Sequence, residues 1–255
     1  MPVSLYMSAP VVTLPLGAPL AEVQRTLDDQ GISCVPLLDE EGRPAGVLSR
    51  TDLLRIGRFE ARLARGKSLL DLPDKMAGEV MHAEVVSVAP DASVAEASRL
   101  MVKRRIHRVF VLDQGKLAGV LSTKDVLSAI RDKRLTTPIA EVMAAPAFLI
   151  QASAPVATAT DRLGRAHISG LVVVDEDEHP IGTFTQTESL RARDLPPETP
   201  VEDVMSHAML CLDARTPMHR AAAQAHATRA RRVLAVEDRK VKGVLTGLDF
   251  AKATF

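Results

Sequence analysis

Four hydroxyl–carboxylate pairs, each separated by three positions, are the residues of this sequence whose types and spacing could do chemistry. They are Ser49–Asp52, Ser122–Asp125, Thr185–Glu188 and Thr246–Asp249. A carboxylate accepts hydrogen bonds from hydroxyl donors, and bonds to a charged acceptor are the stronger kind. The same spacing is also that of a helix capping box, in which hydroxyl and carboxylate satisfy backbone groups at a helix start. Capping alone explains the four pairs, so a binding role for the carboxylates needs further evidence.

Two pairs of basic residues recur at one position relative to these carboxylates. They are His107–Arg108 and Arg231–Arg232, each at the start of an apolar, β-branched run. The other two copies of the pattern have Ser33–Cys34 and Ser169–Gly170 there. The planar guanidinium group fits phosphate oxygens, and histidine adds a further donor. Because unpaired charge is costly to bury, the basic pairs indicate phosphate binding. The alternative is that they are solvated at a sheet edge or paired with acidic neighbours.

The elements that must position these residues recur four times along the chain. In each copy a methionine precedes a short apolar strand, an amphipathic segment follows, and a hairpin with a glycine in its second strand leads into the hydroxyl–carboxylate pair. The methionines are Met7, Met81, Met143 and Met205, and the glycines are Gly46, Gly119, Gly182 and Gly243. Each copy therefore predicts strand, helix, strand, turn, strand, helix. One copy alone leaves a sheet face uncovered, so we expect the copies to pair in an α/β (α+β) fold.

The pattern divides the chain into four repeats and two pairs. The predicted repeats are 1–60, 76–131, 137–193 and 199–255, and the two pairs span 1–131 and 137–255. The longest spacer, residues 56–79, lies between the first two hairpins and is helix-prone as far as Gly66.

The amino-acid composition argues against nucleic-acid binding and against membrane association. Lys plus Arg and Asp plus Glu number 32 each, and this balance argues against a general nucleic-acid binder. There is no Trp and one Tyr, so nucleic-acid bases have few aromatic side chains to stack on. No apolar run approaches the roughly 20 residues of a membrane span, and no signal-peptide pattern opens the sequence. We therefore expect a soluble cytoplasmic protein that has no membrane association.

The cysteines and the common catalytic and metal-binding motifs do not indicate a function. Cys34 and Cys211 are too few for a disulfide framework, and each lies in an apolar run, which predicts two buried core thiols. There is no HExxH and no paired CxxC, so we expect no metal site. There is also no Walker A loop and no GxSxG, so no residue is predicted to be catalytic.

Starts such as "VMHAEVVSV", each followed by a hairpin and a G-h-h-[ST]-x-x-[DE] turn, resemble the cystathionine-β-synthase (CBS) domain family. The resemblance covers residues 7 to 252. It implies that four CBS repeats pair by pseudo-twofold symmetry into two Bateman modules. It also implies that clefts between paired repeats bind adenosine nucleotides or related adenosyl ligands, and that the modules themselves are not catalytic.

The resemblance further implies roles for individual residues. In the family's nucleotide sites the aspartate holds the ribose hydroxyls, and other hydroxyls lie near the ligand. The matching residues here are Ser49, Thr51, Asp52, Ser122, Asp125, Thr246 and Asp249. The residues expected near phosphate groups are His107, Arg108, Lys124, Arg231 and Arg232. Asp52 has the fullest match. Glu188 is one methylene longer, so we expect it to cap its helix and not to hold a ribose. Which aspartate shares a cleft with which basic pair stays open.

These observations favour a regulatory protein that binds AMP, ADP, ATP or S-adenosylmethionine between paired repeats. The nucleotide would act as a regulatory ligand and no cofactor would be required, because a ligand shifts a conformational equilibrium by its differential affinity for the two states. An unidentified protein partner would read the outcome, and two chains could associate as a homodimer. The alternative is an interaction scaffold that binds no small ligand. The departures from the family's binding pattern at Lys124, Glu188 and Leu248 support this alternative. An enzyme is the least favoured class, because four repeats leave no room for a catalytic domain.

Overall fold

The computed structural model describes residues 1–60, 69–166 and 168–255. All four repeats have the predicted order of a short strand, a helix, a hairpin and a second helix. Repeat 1 consists of β1 (Leu14–Pro15), α1 (Leu20–Asp29), β2 (Cys34–Leu38), β3 (Pro44–Ser49) and α2 (Arg50–Ile56). A small antiparallel pair, β4 (Arg58–Glu60) and β5 (Leu69–Asp71), follows it. Repeat 2 consists of α3 (Ala77–Val80), β6 (Ser87–Val88), α4 (Val94–Arg104), β7 (Arg108–Asp113), β8 (Lys116–Ser122) and α5 (Thr123–Asp132).

Repeats 3 and 4 have the same order of elements, and each begins with a one-turn 3-10 helix, called a turn below. Repeat 3 consists of the turn Ile139–Glu141, β9 (Leu149–Gln151), α6 (Val156–Arg165), β10 (Gly170–Val174), β11 (Pro180–Thr185) and α7 (Gln186–Arg191). Repeat 4 consists of the turn Val201–Asp203, β12 (Leu210–Asp213), α8 (Met218–Thr228), β13 (Arg232–Glu237), β14 (Lys240–Thr246) and α9 (Gly247–Lys252). Each repeat forms a three-stranded sheet with the first hairpin strand in the middle.

The segment that leads into each repeat pairs with the partner repeat and not with its own. We call these lead segments, and they cover residues 2–8, 76–82, 138–144 and 200–206. Their isolated bridges are Pro2 with Ser93, Ser8 with Val120, Met76 with Pro19, His82 with Val47, Pro138 with Pro217, Ala144 with Val244, Pro200 with Pro155 and Ser206 with Thr183. The exchange ties paired repeats together through backbone hydrogen bonds that neither repeat could form alone.

The exchange also explains why a methionine and a glycine recur together. A Cβ added at Gly46 would overlap the Met81 side chain and lie 2.8 Å from the His82 carbonyl oxygen. At Gly243, the added Cβ would lie 2.8 Å from the Ala144 carbonyl oxygen. The lead segment therefore packs directly on the hairpin backbone, where only glycine leaves the required space.

Contacts divide the chain into two compact units. The larger unit contains residues 1–8, 90–109 and 120–255, and the smaller unit contains residues 9–89 and 110–119. The core of the smaller unit combines α1, the β2–β3 hairpin and α2. Its buried residues are Ala18, Leu20, Val23, Leu27, Val35, Leu37, Leu48, Leu53 and Ala77.

Within the larger unit, strand β10 is buried on both faces. Leu171 and Val173 face the core of repeat 3, whereas Val172 and Val174 pack with Leu234 of repeat 4. Successive side chains of a strand point to opposite faces, so pairing of repeats 3 and 4 covers the sheet face that one repeat alone would expose. The prediction that repeats pair to hide a sheet face is confirmed here.

Helices of repeat 2 pack against helices of repeat 4 in the same larger unit. α5 lies along α8, and α9 packs on both α4 and α5. The starts of α5 and α9 approach each other closely, because a Cβ on Gly247 would lie 2.7 Å from the Thr123 Cβ. The first turns of these two helices therefore meet without an intervening side chain from Gly247.

Two sequence predictions about local structure are wrong. Cys34 is buried as expected, but Cys211 is exposed, because β12 is an edge strand whose alternate residues face outward. The helix expected over residues 56–66 is interrupted by strand β4, and residues 61–66 lie outside the described part of the chain. Among the described helices, none has the length and apolar character needed to cross a membrane.

Candidate functional site

All four hydroxyl–carboxylate pairs form capping boxes at the start of the last helix of their repeat. The backbone N–H groups of Ser49, Ser122, Thr185 and Thr246 donate to one carboxylate oxygen at 2.9, 2.7, 3.0 and 2.9 Å, respectively. The same oxygen accepts the hydroxyl of that residue. The capping prediction is confirmed, and one oxygen of each carboxylate remains for other partners.

The second carboxylate oxygen has a different neighbour in repeats 1, 2 and 4. Oδ1 of Asp52 lies 3.0 Å from His82 Nε2, and Oδ1 of Asp249 accepts from Lys252 Nζ at 3.0 Å. Oδ1 of Asp125 has only the Ser8 hydroxyl, at 3.5 Å, among the hydrogen bonds of the described residues. The carboxylates that look alike in sequence are thus unequal in their capacity to accept a new donor.

The electrostatic setting of Asp52 reflects its partners. Burial raises the pKa of Asp52, but hydrogen bonds from Ser49 and His82 outweigh burial and hold the pKa below its usual value. The carboxylate is thereby kept ionised. Ser49 and Asp52 belong to the smaller unit together with Thr51, which is half-buried in the first turn of α2.

The basic residues that the sequence singled out converge in the larger unit. His107 and Arg108 precede or begin β7, Lys124 lies in the first turn of α5, and Arg231 and Arg232 precede or begin β13. We call these five residues, with Arg229, the cationic cluster. Arg229 was not among the predicted site residues. It ends α8 in the left-handed conformation with φ 56°, and its place in the run "ATRARR" was the available signal.

Three successive contacts connect the pair His107–Arg108 with the pair Arg231–Arg232. The Thr123 N–H donates to the His107 carbonyl oxygen at 2.9 Å, and Thr123 meets Gly247 at the junction of α5 and α9. Thr246, the residue before Gly247, pairs with Arg232 across the β13–β14 hairpin. The starts of β7 and β13 therefore lie on either side of one helix–helix contact.

The positive charges of the cluster act on one another. Burial and then Arg108, Arg232 and Arg231 lower the pKa of His107. Burial and then the neighbouring arginines also lower the pKa of Lys124, against the opposing effect of Asp125. Like charges held together in this way repel one another, and a bound anion would relieve the repulsion.

Arg232 has a structural partner as well as a place in the cluster. Its Nη2 donates to the Ser169 carbonyl oxygen at 2.7 Å, and a Cβ on Gly170 would lie 3.2 Å from its Nε. Burial lowers the pKa of Arg232, and Glu188 acts in the opposite direction. This contact explains why a small residue in repeat 3 stands where repeat 4 has arginine, because Gly170 provides the space that the Arg232 side chain fills.

The other residues predicted for the site are helix caps or are buried at a helix start. Ser122 and Thr246 serve as N-caps of α5 and α9, and Asp249 is 5% exposed. Within residues 1–60, 69–166 and 168–255, no group of three His, Cys, Asp or Glu side chains is arranged to hold a metal ion.

Comparison with known proteins identifies the family. The model of the CBS domain matches residues 3–58, 77–132 and 139–192, which is more than half of the chain. The chain belongs to the CBS domain family. Repeat 4 has the same order of elements as the three matched segments, so the chain contains four CBS repeats, paired as two Bateman modules.

Relatives of this CBS protein differ widely in length. It is 27% identical over 184 residues to a 33.4 kDa protein in a ribosomal RNA operon of Thermofilum pendens, which covers 67% of this chain and 57% of that protein. It is 34% identical over 121 residues to the A-adding tRNA nucleotidyltransferase of Geobacter sulfurreducens, covering 48% of this chain and 12% of that enzyme. The chain therefore spans less than two thirds of the length of either relative.

A solved structure shares the fold over the whole chain. A protein of Methanocaldococcus jannaschii, described as a proposed archaeal homologue of g-AMPK, matches with a TM-score of 0.77 at 15% identity. The match covers 100% of both chains. At this identity the likeness shows the CBS fold and nothing about ligands.

Proposed function

We propose that this protein is a regulatory sensor that binds an adenosine nucleotide and transmits its presence to a protein partner. The observation that carries the proposal is the convergence of His107, Arg108, Lys124, Arg231 and Arg232 in one unit of the fold. Four of these residues come from two basic pairs that lie more than 120 positions apart in the sequence (108 to 231). Their mutual repulsion lowers stability unless an anion is bound, which is what a phosphate-binding site requires.

The chemistry of the cluster selects among adenosyl ligands. Arginine offers a planar fork to phosphate oxygens, and lysine adds a compact positive charge. Hydrogen bonds from such groups to phosphate are charge-assisted and therefore strong. S-Adenosylmethionine carries a sulfonium cation, which the same cluster repels. We accordingly expect AMP, ADP or ATP to bind more tightly than S-adenosylmethionine.

Isothermal titration calorimetry with AMP, ADP, ATP and S-adenosylmethionine tests the proposal. We expect at least one nucleotide to bind with a dissociation constant in the micromolar to low-millimolar range, and its affinity to fall as the salt concentration rises. Lys124→Ala should weaken binding about tenfold or more. Lys116→Ala is the matched control, because Lys116 is an exposed lysine at the far end of the β7–β8 hairpin. Absence of binding by all four ligands, or equal loss in both variants, would contradict the proposal.

A scaffold that binds no small ligand is the second candidate. The observation that favours it is that all four hydroxyl–carboxylate pairs form capping boxes, so each pair has a structural role without a ligand. A scaffold predicts no heat of binding and no thermal shift with any nucleotide. The sensor predicts both, and it predicts that Lys124→Ala reduces both together.

A further inference from the structure

We propose that a pocket among α4, α5 and the end of α9 binds a small apolar carboxylate. We call it the α4 pocket; it forms around Val94, Ala129 and Ile130, and its volume is about 160 Å³. All of its lining residues belong to the larger unit, and none belongs to the cationic cluster. Lys133, which lines the pocket, and Lys124 of the cluster lie at opposite ends of α5. The pocket is therefore separate from the nucleotide site proposed above.

The inner wall of the α4 pocket is apolar. Val94, at the start of α4, and Ala129 and Ile130, on α5, are buried there, and Leu135 adds a half-buried side chain. Moving the apolar part of a ligand from water onto such residues is favourable. A protein cavity of about 150 Å³ with apolar walls binds benzene. The α4 pocket consequently has room for a ligand with one six-membered ring or a short branched chain.

The mouth of the α4 pocket offers a cation and a hydroxyl donor. Lys133 is exposed there, and no ion pair found among the described residues involves it. The Ser93 hydroxyl oxygen accepts the backbone N–H of Glu96 at 3.0 Å, which leaves the hydroxyl hydrogen of Ser93 to donate. A carboxylate accepts from both groups, and its bond to the ammonium group is charge-assisted. An apolar wall with a lysine at the mouth thus suits an apolar carboxylate.

Repeat 4 shows which side chain can stand at the corresponding position. The first residues of α4 and α8 donate their backbone N–H groups to lead segments in the same way, at 2.9 and 2.8 Å. The next residue is Ala95 in repeat 2 and His219 in repeat 4. The Nδ1 atom of His219 lies 2.8 Å from the Leu135 carbonyl oxygen. Repeat 2 has only the methyl group of Ala95 there, and Ala95 lines the pocket.

A ligand in the α4 pocket contacts repeats 2 and 4 together. Ile130 belongs to repeat 2, whereas Thr254 follows α9 of repeat 4. Beside the pocket, the Cζ atom of Arg99 on α4 lies 5.1 Å from the centre of the Phe255 ring, so a cation–π contact joins the end of repeat 4 to α4. Because a ligand that binds only the folded state stabilises it, the carboxylate should strengthen the packing between these repeats.

Benzoate is the probe that tests the α4 pocket, and benzyl alcohol is an uncharged probe of similar size. Calorimetry on the full chain should give one benzoate per chain, with a dissociation constant of roughly 1 mM. Benzyl alcohol should bind at least threefold more weakly. In methyl NMR spectra, benzoate should shift the signals of Ile130 and Leu135. The signals of Leu37 and Leu48, in the core of the smaller unit, should stay unchanged.

Three substitutions test the roles of individual residues. Ala95→His, which copies the residue of repeat 4, should weaken benzoate binding at least tenfold. Ala157→His is the matched control and should change it less than twofold, because Ala157 is the exposed second residue of α6. Lys133→Gln should weaken benzoate binding about three- to tenfold and leave that of benzyl alcohol within twofold. Thermal unfolding without benzoate reports whether each variant retains its fold.

The outcomes that would contradict the proposal are distinct. Unchanged signals of Ile130 and Leu135 in the unmodified protein, or equal weakening by Ala95→His and Ala157→His, would overturn the site. Equal affinity for benzoate and benzyl alcohol would overturn the assignment of a carboxylate. Displacement of benzoate by ATP would place the probe in the nucleotide site and would also overturn the α4 pocket.

Discussion

Replacing Arg231 by glutamine should raise the stability of the ligand-free protein and lower its affinity for nucleotide. Arg231 is an exposed member of the cationic cluster, and its charge lowers the pKa of Lys124 and of Arg232, in each case after the larger effect of burial. Arg231 therefore repels both cations in the absence of an anion. Glutamine keeps a long polar side chain and removes the charge.

The expected magnitudes follow from these two repulsions. An exposed charge pair is worth about 0.2–1 kcal/mol, so we expect the free energy of unfolding to rise by about 0.5–1 kcal/mol. For a chain of this size the melting temperature should rise by about 1–4 °C. A hydrogen bond to a charged group contributes about 1.5–3 kcal/mol, so nucleotide affinity should fall by about ten- to hundredfold.

Thermal unfolding without ligand and calorimetry with nucleotide measure the two effects on one protein sample. Arg215→Gln is the matched control, because Arg215 is an exposed arginine whose Nε pairs with Asp213 at 3.3 Å. The control should leave affinity unchanged and should not raise the melting temperature. A lower melting temperature for Arg231→Gln, with nucleotide affinity unaltered, would refute the argument that the cations of the cluster repel one another until an anion binds.

Three further predictions concern packing and pH. Gly243→Ala should lower the free energy of unfolding by about 1–3 kcal/mol, because the new Cβ meets a lead segment. Gly164→Ala, in the open part of α6, should raise it by up to about 1 kcal/mol; chemical denaturation compares the two. Leu234→Ala, at a fully buried position between the sheets of repeats 3 and 4, should cost about 2–5 kcal/mol in the same assay. Because burial and then neighbouring arginines lower the pKa of His107, the unfolded chain takes up a proton at higher pH than the folded chain. Stability should therefore fall as pH drops through about 6.5 and below, and His107→Gln should flatten this dependence; an unchanged pH profile would contradict it.

The sequence predicted the elements and the repeat because both rest on local rules. The capping box joins Ser122 to Asp125 across three positions, and a hairpin joins neighbouring strands across a turn, so each leaves its signature within a short window. The same signatures in four copies were sufficient to indicate the family. The sequence also indicated the basic residues of the cluster, because His107–Arg108 and Arg231–Arg232 stand at the same position of their repeats.

Side-chain environments created by distant residues were not predictable in this way. Cys211 lies in an apolar run, yet it is exposed because it occupies an outward-facing position of the edge strand β12. The need for Gly170 arises from Arg232, which is 62 positions away (232 − 170).

The sequence by itself determined where helices begin, where hairpins turn and which residues carry charge. The tertiary structure decided what each charge faces. Asp52 is the fullest match in sequence, but the exchange of lead segments places His82 on its second carboxylate oxygen, whereas Oδ1 of Asp125 has only the Ser8 hydroxyl among the hydrogen bonds of the described residues. The physical reason is that hydrogen bonding and Coulomb interactions depend on distance in space, and the chain reaches these distances only after paired repeats have exchanged their lead segments.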